Sequence, residues 1–125
     1  MKRLELISSV HTPHIILDAD KRKFLIEGKS FPEDSKQFYQ PVLDWLNEYK
    51  KEKPKRIEFH SNLVYLSSSS IISVKQIFLI LIAFQKEGIE VEVVWHYDED
   101  DDDIKKTGED YMKLTNLKFT FKVNP

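Results

Sequence analysis

The sequence predicts an α/β fold: a single domain with a mixed β-sheet and helices packed on it. Three observations carry that prediction. Residues 57–66 and 89–97 read as strands, and the apolar segment 71–86 between them has the length of a helix. Strand, helix and strand in that order make a βαβ unit, whose strands run parallel through a right-handed crossover. Ahead of this unit, two short apolar runs flank turn residues, which is the pattern of an antiparallel hairpin.

The elements follow in order. Residues 4–9 offer a short first strand. Residues 15–17 and 24–26 are the arms of the hairpin, with turn chemistry in Asp18-Ala19-Asp20-Lys21 and closure near Gly28. Pro32, Glu33 and Asp34 then suit a helix start, where free backbone N–H groups attract negative charge. Pro41 falls inside the helical region, where proline removes a hydrogen bond and clashes with the preceding turn. The expectation is a short turn over 34–39 and a new helix with Pro41 in its first turn. Val42, Trp45, Leu46 and Tyr49 form one apolar stripe at i, i+3, i+4 and i+7. Lys50, Lys51, Lys53, Lys55 and Arg56 make a basic exit, interrupted by Pro54.

Ile57, Phe59, Leu63 and Tyr65 share one strand face, and Val64 and Leu66 add apolar residues to the other. This predicts a strand buried on both faces toward its end. Ser67, Ser68, Ser69 and Ser70 follow, then the helix, with Gly88 placed to cap it. Ile89, Val91, Val93, Trp95 and Tyr97 alternate with Glu90, Glu92, Val94 and His96, the clearest strand in the chain. An amphipathic helix over 104–114 and a strand over 117–123 complete the order.

Composition narrows the function. With 125 residues, the chain has the size of one domain, spanning 1–125. It has no cysteine, which excludes disulfide scaffolds, thiolate zinc sites and thiol catalysis. The formal net charge of −2 conceals an asymmetry: Asp98, Glu99, Asp100, Asp101, Asp102 and Asp103 are consecutive, and without them 19 basic residues face 15 acidic ones. Glu5, Ser8 and Ser9 break the apolar stretch that a secretory signal requires. The most apolar run, 77–84, is less than half a membrane span and is closed by Lys86 and Glu87. A cytoplasmic protein without membrane insertion is the expectation. The basic segment 50–56 lacks interleaved aromatics, so nucleic acid is not an expected partner. No glycine-rich phosphate loop or nucleophile elbow is present, and no cofactor is implied.

Two constellations remain. The serine run Ser67–Ser70 lies between a strand and a helix N-terminus, which presents unpaired N–H donors and partial positive charge. A phosphoryl group there would be stabilised, and a phosphoserine adds about −1.5 to −2 charge at neutral pH; alternatively, the serines only cap the helix. The acidic run follows Trp95-His96-Tyr97 at the C-terminal end of a strand taken as central, where open α/β sheets place ligand sites. It could hold a divalent ion, receive a basic partner surface, or be a solvated lead into the next helix. His11, His14, His60 and His96 show no metal-ligand or triad spacing, which favours structural roles.

Several segments together resemble one family. Thr12-Pro13, Ile15, Leu17-Asp18, Phe24, Ile26 and Gly28 resemble its opening hairpin. Ser30-Phe31-Pro32-Glu33-Asp34-Ser35, with Phe38-Tyr39, Pro41-Val42-Leu43 and Trp45-Leu46, resembles its most distinctive signature. Leu63-Val64-Tyr65-Leu66 leads into Ser67–Ser70 where the family has a strand ending in an Asn-Thr-Ser-Ser-like run. Gly88, Val91, Val93, Trp95, Tyr97-Asp98-Glu99-Asp100 and Gly108-Glu109 match its second half. The chain is thus similar to the SiaC-like regulatory phosphoproteins of bacteria over nearly its whole length.

That resemblance implies a STAS-like fold, similar to anti-sigma-factor antagonists, and a non-catalytic switch protein. It implies a Ser/Thr protein kinase that phosphorylates the start of the helix after the central strand, and a PP2C-type phosphatase that reverses this. It also implies that the unmodified form binds and activates a diguanylate cyclase, raising cyclic di-GMP and promoting aggregation and biofilm. The family's phosphorylated threonine falls on Ser68, with Ser67, Ser69 and Ser70 as alternatives. Ser67 replaces an asparagine, and apolar Ile71 and Ile72 stand where a lysine is expected. Tyr65, Leu66, Tyr97 and Asp98 through Asp103 are the expected partner-contact residues. Two other readings are a constitutive adaptor that is never phosphorylated, and a small domain binding a divalent ion through the acidic run.

Overall fold

The computed structural model describes residues 1–125. In chain order its elements are β1 (Leu4–Leu6), β2 (His14–Asp18), β3 (Lys23–Ser30), α1 (Ser35–Lys51), β4 (Arg56–Leu66), α2 (Ser68–Lys86), β5 (Glu90–Tyr97), α3 (Asp102–Thr115) and β6 (Lys118–Val123). The strands lie in one sheet in the same order as in the chain. β1–β2 and β2–β3 are antiparallel; β3–β4, β4–β5 and β5–β6 are parallel. The predicted hairpin, βαβ unit and mixed sheet are all present.

This order dictates the layering. Each crossover from β3 onward steps one strand in the same direction, so right-handed crossovers deliver every helix to the same face. The helices lie side by side with α2 in the middle. One face of the sheet is therefore covered and the other is open. Strand residues obey the split: Ile57, Phe59 and Leu63 of β4 are buried, while Glu58, His60 and Asn62 between them are half-exposed. The core joins Leu17, Ile26, Phe59 and Trp95 of the sheet to Tyr39, Val42 and Leu46 of α1, to Val74, Ile77, Phe78, Leu81 and Phe84 of α2, and to Ile104 and Tyr111 of α3. Each fully buried side chain of this size contributes about 1.5–3 kcal/mol relative to exposure. By length and composition α2 could cross a membrane, but here its inner face fills the centre of this core.

Several sequence expectations change. Helix α1 is continuous through Pro41. Gln37, whose carbonyl loses its N–H partner to the proline, lies on the exposed side with Pro41, so water can satisfy that oxygen. Asp34 caps the helix by accepting from Gln37 N–H at 3.0 Å. β1 is shorter than residues 4–9, and β3 runs past Gly28 to Ser30. The β3–β4 register shifts between Gly28 and Lys29, and Gly28 has φ +109°, open only to glycine without strain. The C-terminal end of β4 is not buried on both faces: the register shift leaves Val64 without a partner and sets Tyr65 opposite exposed Lys29, on the face that carries no second layer, so both are exposed. β5 is next to edge strand β6, not central. The strand order never reverses, so the acidic run does not line a switch-point crevice. Helix α2 begins at Ser68 rather than Ile71, and α3 begins at Asp102, which takes two of the six acids out of the loop.

The open face is polar and internally paired. Arg56 donates to Glu58 at 2.8 Å and to Glu92 at 2.9 Å, and also contacts Glu90. Thr120 donates to Glu92 at 2.6 Å. These bonds, Thr120 first and Arg56 next, hold the Glu92 carboxyl below its usual range. His60 and His96 meet on this face with ring nitrogens 2.9 Å apart. Partial burial, then the charges of His60 and Lys122, lowers the His96 pKa below 6.5.

Two predictions follow from this packing. A Cβ on Gly108 would lie 2.5 Å from the indole nitrogen of fully buried Trp95, which donates to the Ile104 carbonyl at 3.0 Å. Gly108→Ala should therefore destabilise the fold by about 1–3 kcal/mol, measured by urea unfolding. Because folding lowers the His96 pKa, the unfolded chain takes up its proton first as pH falls below 6.5. That part of the stability is present at neutral pH and is lost on acidification, so His96→Gln should lose less Tm than the parent between about pH 7.5 and pH 5.

Candidate functional site

The serine run forms the first turn of α2, and its four hydroxyls differ in environment. Ser67 is the N-cap, with extended backbone (φ −68°, ψ 165°). Its Oγ accepts from the Ser70 N–H at 3.2 Å, and its carbonyl accepts from Ile71 N–H at 3.0 Å, the first bond of the helical ladder. The N–H groups of Ser68 and Ser69 precede that ladder and have no partner within it. Ser70 is fully buried. Its hydroxyl bonds Ser30 Oγ at 2.7 Å and Ser67 Oγ at 3.0 Å, and Ser30 Oγ bonds the buried Tyr39 hydroxyl at 2.6 Å. Burial pushes the Tyr39 pKa up to about 12, against the lowering effect of the Ser30 bond, so the phenol stays protonated in this chain. Ser68 and Ser69 are exposed; Ser69 Oγ lies 3.3 Å from Ser67 Oγ.

The turn is anchored from three sides. Ser67 N–H donates to the Ser30 carbonyl of β3 at 2.9 Å. Tyr111 of α3 donates to the Ile71 carbonyl at 2.6 Å, and burial raises its pKa as well. Ser35 of α1 bonds Ser73 at 2.9 Å below the turn. Beside it, a cleft between the starts of α1 and α2 is lined by Phe38, Leu43, Ser69, Ile72 and Gln76, with Glu33 and Asp34 at its rim.

Among the expected partner-contact residues, Tyr65 is half exposed, whereas Leu66 packs against the core and is only partly accessible. Tyr97 is likewise half-buried, its ring 6.4 Å from Phe121 and under the Lys105 ammonium. Asp98 accepts from Asn124 at 2.9 Å, and Asn124 also donates to Asn62 at 3.0 Å, which pins the start of the loop to β4. Glu99 and Asp100 form the exposed tip. Asp101 caps α3 by accepting from Ile104 N–H at 3.0 Å, and Asp102 and Asp103 occupy its first turn, favourable positions beside the helix dipole. No three acidic or histidine side chains converge as an ion-binding cluster. Parallel β4 and β5 bring the serine turn and the acidic loop to the same end of the sheet, but no hydrogen bond or ion pair joins them.

Sequence reasoning missed several exposed apolar residues near this end of the sheet. Ile72 is 63% exposed and Val10, in the β1–β2 loop, 77%. Phe31 links this loop to Tyr65, its ring 5.0 Å from His11 and 5.7 Å from Tyr65. The available signal was Ile71 and Ile72 replacing an expected lysine; nothing in the sequence paired the β1–β2 loop with Tyr65.

Fold and site together define a small α/β domain that presents a pair of exposed hydroxyls on a hydrogen-bonded helix N-terminus. The model of the SiaC family of regulatory phosphoproteins matches residues 6–124, and the chain belongs to that family. A protein of Pseudomonas aeruginosa strain UCBPP-PA14 is 25% identical over 124 residues, covering 99% of this chain and 98% of its own. The crystal structure of apo-SiaC from Pseudomonas aeruginosa superposes with a TM-score of 0.91 at 25% identity, over 98% of this chain and 100% of that one. SiaC from the same organism, in complex with the diguanylate cyclase SiaD that it activates, superposes with a TM-score of 0.90 at 24% identity, over 97% and 99% of the two chains.

The site predicts a contrast within the serine run. Ser70→Ala interrupts a buried hydroxyl chain and should cost about 1–3 kcal/mol. Ser68→Ala removes an exposed hydroxyl and should stay within about 0.5 kcal/mol of the parent by urea unfolding.

Proposed function

We propose that this protein is a non-catalytic, phosphorylation-controlled partner switch of the bacterial cytoplasm, whose unmodified form binds and activates a diguanylate cyclase and so raises cyclic di-GMP. Ser68 is the proposed phosphoacceptor, served by a Ser/Thr protein kinase and a PP2C-type phosphatase. The observation that carries this reading is the division of labour in the serine turn. Ser67 is used as a cap and Ser70 is sealed in the interior. Ser68 stands exposed as the first residue of α2, where a phosphate would meet free N–H groups and the positive end of the helix dipole. Ser69 is also exposed, but it faces the α1–α2 cleft. Family membership and the cyclase complex of the Pseudomonas aeruginosa SiaC support the partner.

The mechanism is electrostatic. The proposed contact surface joins Tyr65 and the exposed edge of Leu66 to Ile71, Ile72 and Val10, with Tyr97 and the acids 98–103 at the same end of the sheet. Apolar area supplies the attraction there, and the acids select a basic partner rim. A phosphate on Ser68 adds about two negative charges at the margin of the apolar area, where desolvating them opposes docking.

Incubation with the cognate kinase and ATP should place phosphate on Ser68, located by mass spectrometry. Ser68→Asp should weaken cyclase binding about tenfold or more, with Ser68→Ala close to the parent. Phosphate elsewhere than 67–70, or equal binding by both variants, would remove the switch; equal binding would leave a constitutive adaptor.

A further inference from the structure

Two histidines on the open face of the sheet are separated by 36 positions in the chain and converge in space. His60 lies on β4 opposite Val94, and His96 lies two residues further along β5. His60 Nδ1 and His96 Nε2 are 2.9 Å apart, with the ring planes only 23° from parallel and the centroids 5.1 Å apart. The two nitrogens therefore point at each other nearly in the plane of both rings. His60 Nε2 donates to Glu58 Oε2 at 2.7 Å. That bond fixes the tautomer of His60 and leaves a lone pair on Nδ1. The carboxylate also makes the imidazole a better donor of that pair, as it does behind metal-bound histidines. Both rings are partly exposed, so an ion and its waters can reach them.

We propose that His60 and His96 form a chelating site for one divalent transition-metal ion of the zinc and nickel class, oriented by Glu58. The ion takes the place of the proton now shared between the two rings. His96 carries its proton on Nδ1 when Nε2 binds the ion, so a neutral pair exchanges no net proton on binding. Metal–nitrogen bonds of about 2.0–2.1 Å in tetrahedral geometry put the two nitrogens about 3.3 Å apart. The nitrogens must part by a few tenths of an ångström, and each ring must turn by roughly 35° to aim its lone pair at a common ion. No third His, Asp or Glu converges on the pair, so water completes the coordination.

The surroundings set its pH response. The helices do not cover this face, so the charged groups that bear on the pair come from the strands and the hairpin. Glu58 and, from β3, Glu27 favour a cation there; Lys122 of β6 opposes one. Arg22 and Lys23 border the cleft beside His60. This site lies on the opposite face of the sheet from the helices and is independent of the switch proposed above.

The test is calorimetric titration of the chelator-treated protein with zinc, nickel and magnesium chlorides near pH 7.5, above the ordinary histidine range of about 6.5. One zinc or nickel ion should bind per chain, and magnesium should not. His60→Gln and His96→Gln should each abolish the heat, Glu58→Gln should weaken binding by about tenfold, and His11→Gln and His14→Gln should leave it unchanged. Acidification to about pH 5.5 should release the ion as the imidazoles charge. Substoichiometric nickel added to the ¹⁵N-labelled parent gives a reading that needs no variant: line broadening confined to residues around 60 and 96. No stoichiometric binding, binding that survives either histidine substitution, or broadening centred on His14 or on residues 98–103 overturns the proposal.

Discussion

Helix α2 packs between α1 and α3 on the sheet, and the rest of the molecule is arranged around it. Its inner side supplies Val74, Ile77, Phe78, Leu81 and Phe84 to the core. Its first turn is gripped by Tyr39 through Ser30 and Ser70, and by Tyr111 through the Ile71 carbonyl. A helix apolar around most of its circumference is usually enclosed. This one is enclosed on three sides and leaves Ile72 and Leu79 in solvent. The same packing that buries its inner side leaves apolar area exposed on its outer side.

The grip on the first turn bears on how a modification there could act. Ser70 and Ser67 share a hydroxyl chain that runs inward to a phenol with no tendency to ionise. Ser68 is outside that chain. A phosphate on it leaves the buried bonds intact, so the site is suited to changing surface charge without loosening the helix. Altering Ser70 instead would reach the core directly. Adjacent residues of identical type therefore differ in what a change to them would do.

Much of the architecture was legible because the relevant signals are local. Alternation in 89–97, the stripe Val42–Trp45–Leu46–Tyr49 and the Asp18–Lys21 turn each fix an element by themselves. Where sequence reasoning went astray, the deciding partner was distant or was solvent. Pro41 is tolerated because it faces water. Tyr65 is exposed because the β3–β4 register shift turns it to the face that every crossover left open, a property of the whole sheet. Trp95 requires Gly108 only because α3 lies across it. The candidate Ser68 could be singled out by resemblance, but the separation of two exposed serines from a cap and a buried one needed Ser30 and Tyr39, about forty and thirty positions upstream of the turn. The His60–His96 pair was invisible for the same reason, since its spacing along the chain matches no motif.

The direction of the helices has an electrical consequence. All of them begin at the end of the sheet where β4 and β5 finish, and acids cluster there: Glu33, Asp34 and residues 98–103. They finish at the opposite end, among Lys50, Lys51, Lys53, Lys55 and Lys86, with Lys21, Arg22 and Lys23 of the hairpin beside them. The two clusters are separated by roughly 35 Å, the span of an eleven-residue strand such as β4 at about 3.3 Å per residue. Acids predominate at the serine end, whereas Lys50 and Lys51 at the other end are paired with Glu87 and Glu48, so charge is unevenly distributed along the strands in a way the net charge of −2 does not show. An approaching basic surface exerts a torque on such a body before contact. It turns the serine end forward, so that encounter begins already aimed.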